Sequence, residues 1–535
     1  MLLDARRSSE LLRNGRVVSG FLLKRIVGLP PSPLGRFYRA QRDPPRSQHL
    51  LLHKLIRRAA DTVWGREHRY HEILGSDDLV RAFQERVSLS GSDALKPYVE
   101  RMRAGELDVL WPGRTQHFAV SSGTASSGRL IPVSREMLRA MVRAGLTPGL
   151  QYIRCAAGTG FLGGKVLTLP GGVSADPDQP DALVGEVSAL MALGTPPALA
   201  RRLQAVSPEL MLLDDWEGKL ERVAACVAGQ DVRAIVMVPS WGPLLFEAVL
   251  AEASRGPAGR VTSLRDVWPK LQVFFGGGVA MTAYRGILEQ YMGSDIDFIE
   301  SYSASEGVFA FQDHPAATDL ALHLVSGVFY EFVRMEDRDR DRPRRYTLAD
   351  VETEVDYVMF VSTCSGLWGY AMEDVVRFTS TSPPRLRVVG RTVSMLDRYG
   401  EAIYAREVEG ALAAAARVTG MQCLGHHVTY TSESARHPQH EWLVELVVPP
   451  ESTTDFAAAL DAHVREHNRH YRNRREPGAM APPFVTPLPR GTCVEYLRRS
   501  RGRINAQTKL LPLSSNRTVA EGLLEAAAAA RQRSS

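Results

Sequence analysis

The segment Ser121-Ser122-Gly123-Thr124-Ala125-Ser126-Ser127-Gly128-Arg129-Leu130-Ile131-Pro132 crowds hydroxyls and two glycines between apolar flanks. Gly123 and Gly128 allow backbone angles that bare N–H groups, and hydroxyls beside them can donate to phosphate oxygens. No Gly-Lys-Ser/Thr closes the loop, so it is not the nucleoside-triphosphatase type. Taken alone, it reads more often as an ordinary Ser/Gly turn. Downstream, Tyr302-Ser303-Ala304-Ser305-Glu306-Gly307 follows strand-like Asp297–Glu300. That order offers a ring to stack on a flat ligand and a carboxylate, Glu306, suited to a hard metal ion. Gly276-Gly277-Gly278, directly after Val273-Phe274-Phe275, permits either close approach by a flat ligand or a tight turn. Asp374 stands among apolar residues, where a ligand hydroxyl or an arginine must offset its burial. Trp241, within Pro239–Pro243, either lines an apolar pocket or is core.

Elements able to position these residues are visible in the pattern. Up to about Arg114 the chain reads as helical: Leu51, Leu52, Leu55 and Ile56 recur at helical spacing, with Trp64–Glu67 ending that helix. Asp77–Phe83 reads as a capped short helix, and Arg135–Gly145 alternates apolar and basic residues at helical period. Apolar runs at 166–169, 234–238, 271–275 and 298–299 alternate with helical stretches, the texture of an α/β protein. The mixed-charge run from Arg334 to Arg345 reads as a solvated loop. Texture changes near Gly390, and beyond it a smaller α+β unit is expected: helices at 407–417 and 456–471, β-like runs near 427–430 and 442–448, and a frayed Ala-rich tail from Glu521.

Composition bounds the answer. A chain of 535 residues exceeds one compact core, so at least two domains are expected. The net charge of +5, from 65 basic and 60 acidic residues, is too small to argue for nucleic acid. No apolar run reaches the roughly 18 residues of a membrane span, and Asp4 and Glu10 interrupt the basic N-terminus, so no export signal is read. Five cysteines scattered singly fit a reducing compartment and argue against zinc. The cytoplasm is the expected location.

Four blocks in a fixed order carry a resemblance: the Ser/Gly loop, Tyr302–Gly307, Tyr370-x-x-x-Asp374-Val375-Val376, and Lys509 before Leu510-Leu511-Pro512. Together they resemble the auxin-responsive Gretchen Hagen family of acyl-acid amido synthetases, in the adenylate-forming superfamily, over residues 51–517. Tyr302–Gly307 and Arg501–Pro512 look like its bacterial branch. The resemblance implies a large N-terminal adenylate-forming domain with layered β-sheets and helices at 1–389, a hinge at 390–397, and a small mobile C-terminal α+β domain at 398–535. It implies ATP and Mg²⁺ as cofactors. The partners it implies are a small-molecule carboxylic acid and an amine, usually of an amino acid, with no nucleic acid and no membrane. The reaction it implies has two steps: the acid would attack the α-phosphate to give an acyl-adenylate and pyrophosphate, and the amine would then displace AMP.

Roles follow the same resemblance. Ser121, Ser122, Gly123 and Thr124 would hold the β- and γ-phosphates. Tyr302 would stack on adenine, with Ser303 beside it and the Gly277 and Gly278 backbone opposite. Glu306 would hold Mg²⁺, Asp374 and Arg391 the ribose, and Lys509 the charge developing at the α-phosphate. Trp241 and Met141 are expected in the acyl pocket. Two departures stand out. Ala371 and Glu373 replace the Arg and Gly common before the ribose-binding Asp, where the added carboxylate could repel a nucleotide. Arg129 stands where a Lys is frequent. Alternative outcomes are acyl transfer to a thiol, of coenzyme A or a carrier protein, and a protein that keeps the fold without turnover.

Overall fold

The structure is a computed structural model that describes residues 28–29 and 32–534, apart from 122–128, 156–159, 177–178, 180, 214, 257–258, 280, 393–394, 397, 400, 402, 432–437, 449–451 and 502–509. The helix Pro44–Ala59 starts where Asp43 accepts a hydrogen bond from the Arg46 N–H, with Pro44 at its first position. It buries Leu52, Leu55, Ile56 and Ala59 along one face. Trp64 does not belong to that helix: Thr62 caps a separate turn, Val63–Glu67, by accepting from the Gly65 N–H at 3.0 Å.

Strands follow in order: His117–Ser121 (β1), Arg129–Val133 (β2), Lys165–Thr168 (β3), Val173–Ala175 (β4), Leu183–Gly185 (β5), Val232–Met237 (β6) and Val273–Gly277 (β7). Next come Asp297–Ala304 (β8), Gly307–Phe311 (β9), Leu320–Leu322 (β10), Val328–Arg334 (β11), Asp356–Thr363 (β12), Tyr370–Thr381 (β13) and Pro384–Arg391 (β14). A small sheet runs β2-β1-β5-β4, and a large one β11-β12-β13-β14-β10-β9-β8-β7-β6-β3. In the large sheet β3, β6, β7 and β8 are parallel, while the strands from β8 through β11 pair antiparallel. The parallel half is covered by helices such as Gly242–Ser254 and Met281–Met292, which explains the unbroken apolar run Val273-Phe274-Phe275 in β7.

Beyond β14 lie the short pair Met395–Leu396 (β15) and Ile403–Tyr404 (β16), then the helix Ala405–Thr419. Cys423–Tyr430 (β17), His440–Leu446 (β18) and Phe484–Leu488 (β19) form a three-stranded sheet. The helix expected over 456–471 is two helices, Thr454–His467 and Arg469–Arg475. Asn468 separates them because its side chain accepts from the Tyr471 N–H at 2.8 Å, a new N-cap. The Ala-rich tail is not frayed. Thr518–Ser534 buries Ala520, Leu523, Ala526 and Ala527 against Leu443, Leu488 and Cys493.

The charged run is also less solvated than its composition suggests. The Arg345 side chain is only 8% exposed and binds Glu331 through two hydrogen bonds, of 2.9 and 2.6 Å. Among the described residues no helix is long and apolar enough to cross a membrane.

Candidate active site

A cavity of about 380 Å³ opens where the parallel strands end. Its walls include Val238 and Trp241 after β6, Gly277 and Gly278 at the end of β7, and Tyr302 to Glu306 at the end of β8. Ligands of α/β sheets gather there because loops diverge beyond the carboxyl ends of parallel strands and leave a crevice. The glycines have a steric reason. A Cβ on Gly277 would meet the Ser301 carbonyl oxygen at 2.6 Å, and Gly278 has φ +82°. Gly277→Ala is therefore expected to push β7 from β8 and lower stability by about 1–3 kcal/mol, the usual cost of overpacking. Denaturant unfolding of the variant checks this.

Tyr302 Oη donates to Asp374 Oδ2 at 2.5 Å, bringing β8 and β13 together at the cavity wall. Arg391, the last residue of β14, faces Asp374 across the ladder, with its Nε 3.1 Å from Oδ1. Asp374 thus has the arginine partner that its burial demands. Burial still pushes its carboxyl upward, and Arg391 opposes that shift. The Tyr302 ring packs against Phe309 at 5.0 Å between centroids.

Glu306 lies in the turn between β8 and β9 and is 7% exposed. Burial pushes its carboxyl up to about 7; Asp374 adds to the shift, and Arg391 and Arg129 oppose it from a distance. Ser305 Oγ donates to the Val120 carbonyl at 3.2 Å, so this turn is tied to the end of β1. Ser121 ends β1 and pairs with Arg129 at the start of β2, and both line the cavity. Ser122, Gly123, Thr124 and Lys509 lie outside the described residues.

Ser303 and Trp241 line the cavity, Trp241 standing edge-on to Trp216 at 4.9 Å. Met141 does not. It is fully buried with Met137 and Ala144 on the inner face of Arg135–Gly145, inside the large core.

Sequence reasoning missed the opposite wall. Arg406 and Glu409, near the start of Ala405–Thr419, face the cavity with Glu300 of β8. Burial pushes Glu409 up to about 8, with Glu300 adding to the shift and Arg406 opposing it. Their i, i+3 spacing marked one helix face, but nothing in the sequence said what that face meets. The Glu373 carboxylate, expected to repel a nucleotide, is instead paired with Arg129 at 2.9 Å and Arg391 at 3.5 Å.

Three domain models of one family match in chain order: the GH3 family N-terminal domain at 33–221, its central domain at 321–391 and its C-terminal domain at 406–518. The chain belongs to the GH3 family. This GH3 chain is 28% identical over 406 residues to a protein of Oryza sativa subsp. japonica provisionally named indole-3-acetic acid-amido synthetase GH3.10. That match covers 69% of this chain and 84% of the relative. It is 24% identical over 250 residues to indole-3-acetic acid-amido synthetase GH3.3 of Arabidopsis thaliana, 44% of this chain and 42% of that one. Among solved structures, GH3.15 acyl acid amido synthetase superposes with a TM-score of 0.72 at 16% identity, over 95% of this chain and 96% of that one. A 2-hydroxyisobutyryl-CoA ligase in the postadenylation state, with 2-HIB-AMP, superposes with a TM-score of 0.58 at 14% identity, over 92% and 94%. At these identities the structural likeness is one of fold.

Proposed function

We propose that this protein is an ATP-dependent acyl-acid amido synthetase, an amide-forming ligase. It activates a small carboxylic acid as an acyl-adenylate, releases pyrophosphate, and passes the acyl group to an amine, that of an amino acid. The observation that carries this reading is one cavity holding Tyr302, Glu306, Asp374 and Arg391 beside Gly277 and Gly278. GH3 membership and relatives named as amido synthetases support it.

Catalysis rests on orientation and charge neutralisation. Asp374, fixed by Tyr302 and Arg391, accepts from the ribose hydroxyls, and the Tyr302 ring and glycine backbone flank the adenine. Ser121 leads into the phosphate loop with Ser122, Gly123 and Thr124. The cavity walls carry Glu186, Glu300, Glu306, Asp374 and Glu409 against Arg129, Arg391 and Arg406, so a polyanion needs added positive charge. Glu306 fits a magnesium site: it is buried, no described side chain bonds it, and Mg²⁺ ordinarily takes one or two carboxylates plus phosphate oxygens. When bound, the ion would offset phosphate charge. Lys509 supplies a cation at the α-phosphate when residues 398–535 turn about 390–397 against 1–389. Trp241 bounds the acyl group. The five free cysteines support a cytoplasmic location.

The test is ATP–pyrophosphate exchange with Mg²⁺ and a panel of aromatic and aliphatic acids, followed by mass spectrometry with pooled amino acids. Acid-dependent exchange and an amide product are expected. A thioester formed with coenzyme A but no amide would replace this reading by the thiol one, and absent exchange would reject turnover altogether.

A further inference from the structure

Glu373 has φ +62°, a backbone conformation that glycine adopts freely and a branched or long side chain does not favour. Its main chain is pinned there, since its carbonyl accepts from the Thr392 N–H at 2.7 Å. What the side chain does in this position is join two strands. Oε1 accepts from Arg129 Nη2 at 2.9 Å, and Oε2 lies 3.5 Å from Arg391 Nη2. Arg129 begins β2, at the mouth of the β1–β2 hairpin, and Arg391 ends β14. Both line the cavity, although 262 residues separate them in the chain.

We propose that Glu373 is a positioning residue for the nucleotide phosphates: its carboxylate holds the Arg129 guanidinium turned into the cavity and links it to Arg391. This rests on the nucleotide reading above. A guanidinium carries five N–H donors in a rigid fork, and one bond to Glu373 leaves most of them for an anion. Without Glu373, Arg129 at 29% side-chain exposure loses its anchor and samples solvent-facing rotamers. The carboxylate costs the site little attraction for phosphate, because two arginines face it. Asp374 takes the Nε edge of Arg391 at 3.1 Å, and Arg391 Nη2, which donates to the Met372 carbonyl at 3.3 Å, lies 3.5 Å from Glu373.

The experiment is calorimetric titration with Mg²⁺-ATP of the unchanged full-length protein, Glu373→Gly, Arg129→Ala and the double variant. Glu373→Gly removes the carboxylate and supplies the residue that the left-handed backbone favours, so folding is not at issue. We expect Glu373→Gly to bind about tenfold more weakly, the size of one charge-assisted hydrogen bond. The double variant is expected to bind no more weakly than Arg129→Ala, and KM for the carboxylic acid should not move. Unchanged or tighter binding by Glu373→Gly, or additive losses in the double variant, would overturn the proposal. If the unchanged protein fails to bind Mg²⁺-ATP, the nucleotide reading falls, and this inference with it.

Discussion

Replacing Glu306 by alanine is expected to lower Mg²⁺-dependent ATP–pyrophosphate exchange about 100-fold or more, the scale of several kcal/mol of lost charge stabilisation. The carboxyl lies in the β8–β9 turn, is 7% exposed, and among the described residues meets no basic side chain directly. Burial disfavours the charged form and pushes this carboxyl up to about 7. A metal ion held by Glu306 would have to displace the carboxyl proton, so its affinity would depend on pH. The group is raised, hence protonated below about 7, so Mg²⁺ binding is expected to weaken as pH falls. The Mg²⁺ concentration for half-maximal exchange should rise by about tenfold per pH unit well below that value and level off above it. Magnesium titrations between acidic and mildly alkaline pH check this. Glu306→Gln keeps the shape and loses the titrating group, so its residual exchange should show no such slope. A wild-type profile that is flat across the same range would refute the assignment of Glu306 as the metal-binding carboxylate.

The second large effect concerns stability. Glu331→Ala is expected to destabilise the large domain by about 3–5 kcal/mol, since it leaves a buried guanidinium without its counter-charge. Glu331 is 1% exposed and the Arg345 side chain 8%. Arg345 also donates to the Gln84 carbonyl at 2.9 Å and to the Val87 carbonyl, and Gln84 Nε2 donates to Glu331 at 3.0 Å. The pair therefore ties an N-terminal helix, Leu79–Arg86, to β11 at the sheet edge. Denaturant unfolding measures the loss. Replacing both residues together, Glu331→Leu with Arg345→Met, should restore most of it, because removing both charges avoids the unpaired one. Equal losses in the single and double variants would show that packing, not charge pairing, holds this edge.

Arg345 illustrates why part of this molecule was legible in the sequence and part was not. It ends a run of alternating charges, and alternation is read locally as a solvated loop. Its partner Glu331 stands on β11, and only the sheet's return brings them together. Asp374 behaves differently. Its apolar neighbours announced a buried carboxylate, and burial demands a partner whatever the fold. Which partner was a tertiary matter: Arg391 lies opposite because β13 and β14 pair in that register. Met141 shows the limit from the other side. The helix Arg135–Gly145 was evident from its period, but Met137, Met141 and Ala144 fit core and pocket wall equally until the helix was packed.

What the sequence alone determined was therefore local: helix and strand positions from apolar period, the Gly276–Gly278 segment from its backbone freedom, and the ordered blocks that placed the chain among the GH3 proteins. Tertiary structure decided which side chains share the cavity. Arg129, Glu373 and Arg391 meet because an antiparallel hairpin and the end of β14 converge on one crevice, and Arg406 and Glu409 arrive on a helix that follows the sheet. Coulomb forces act over ångströms of space, not residues of chain, so those pairings follow from strand order and register, which no short stretch of sequence contains.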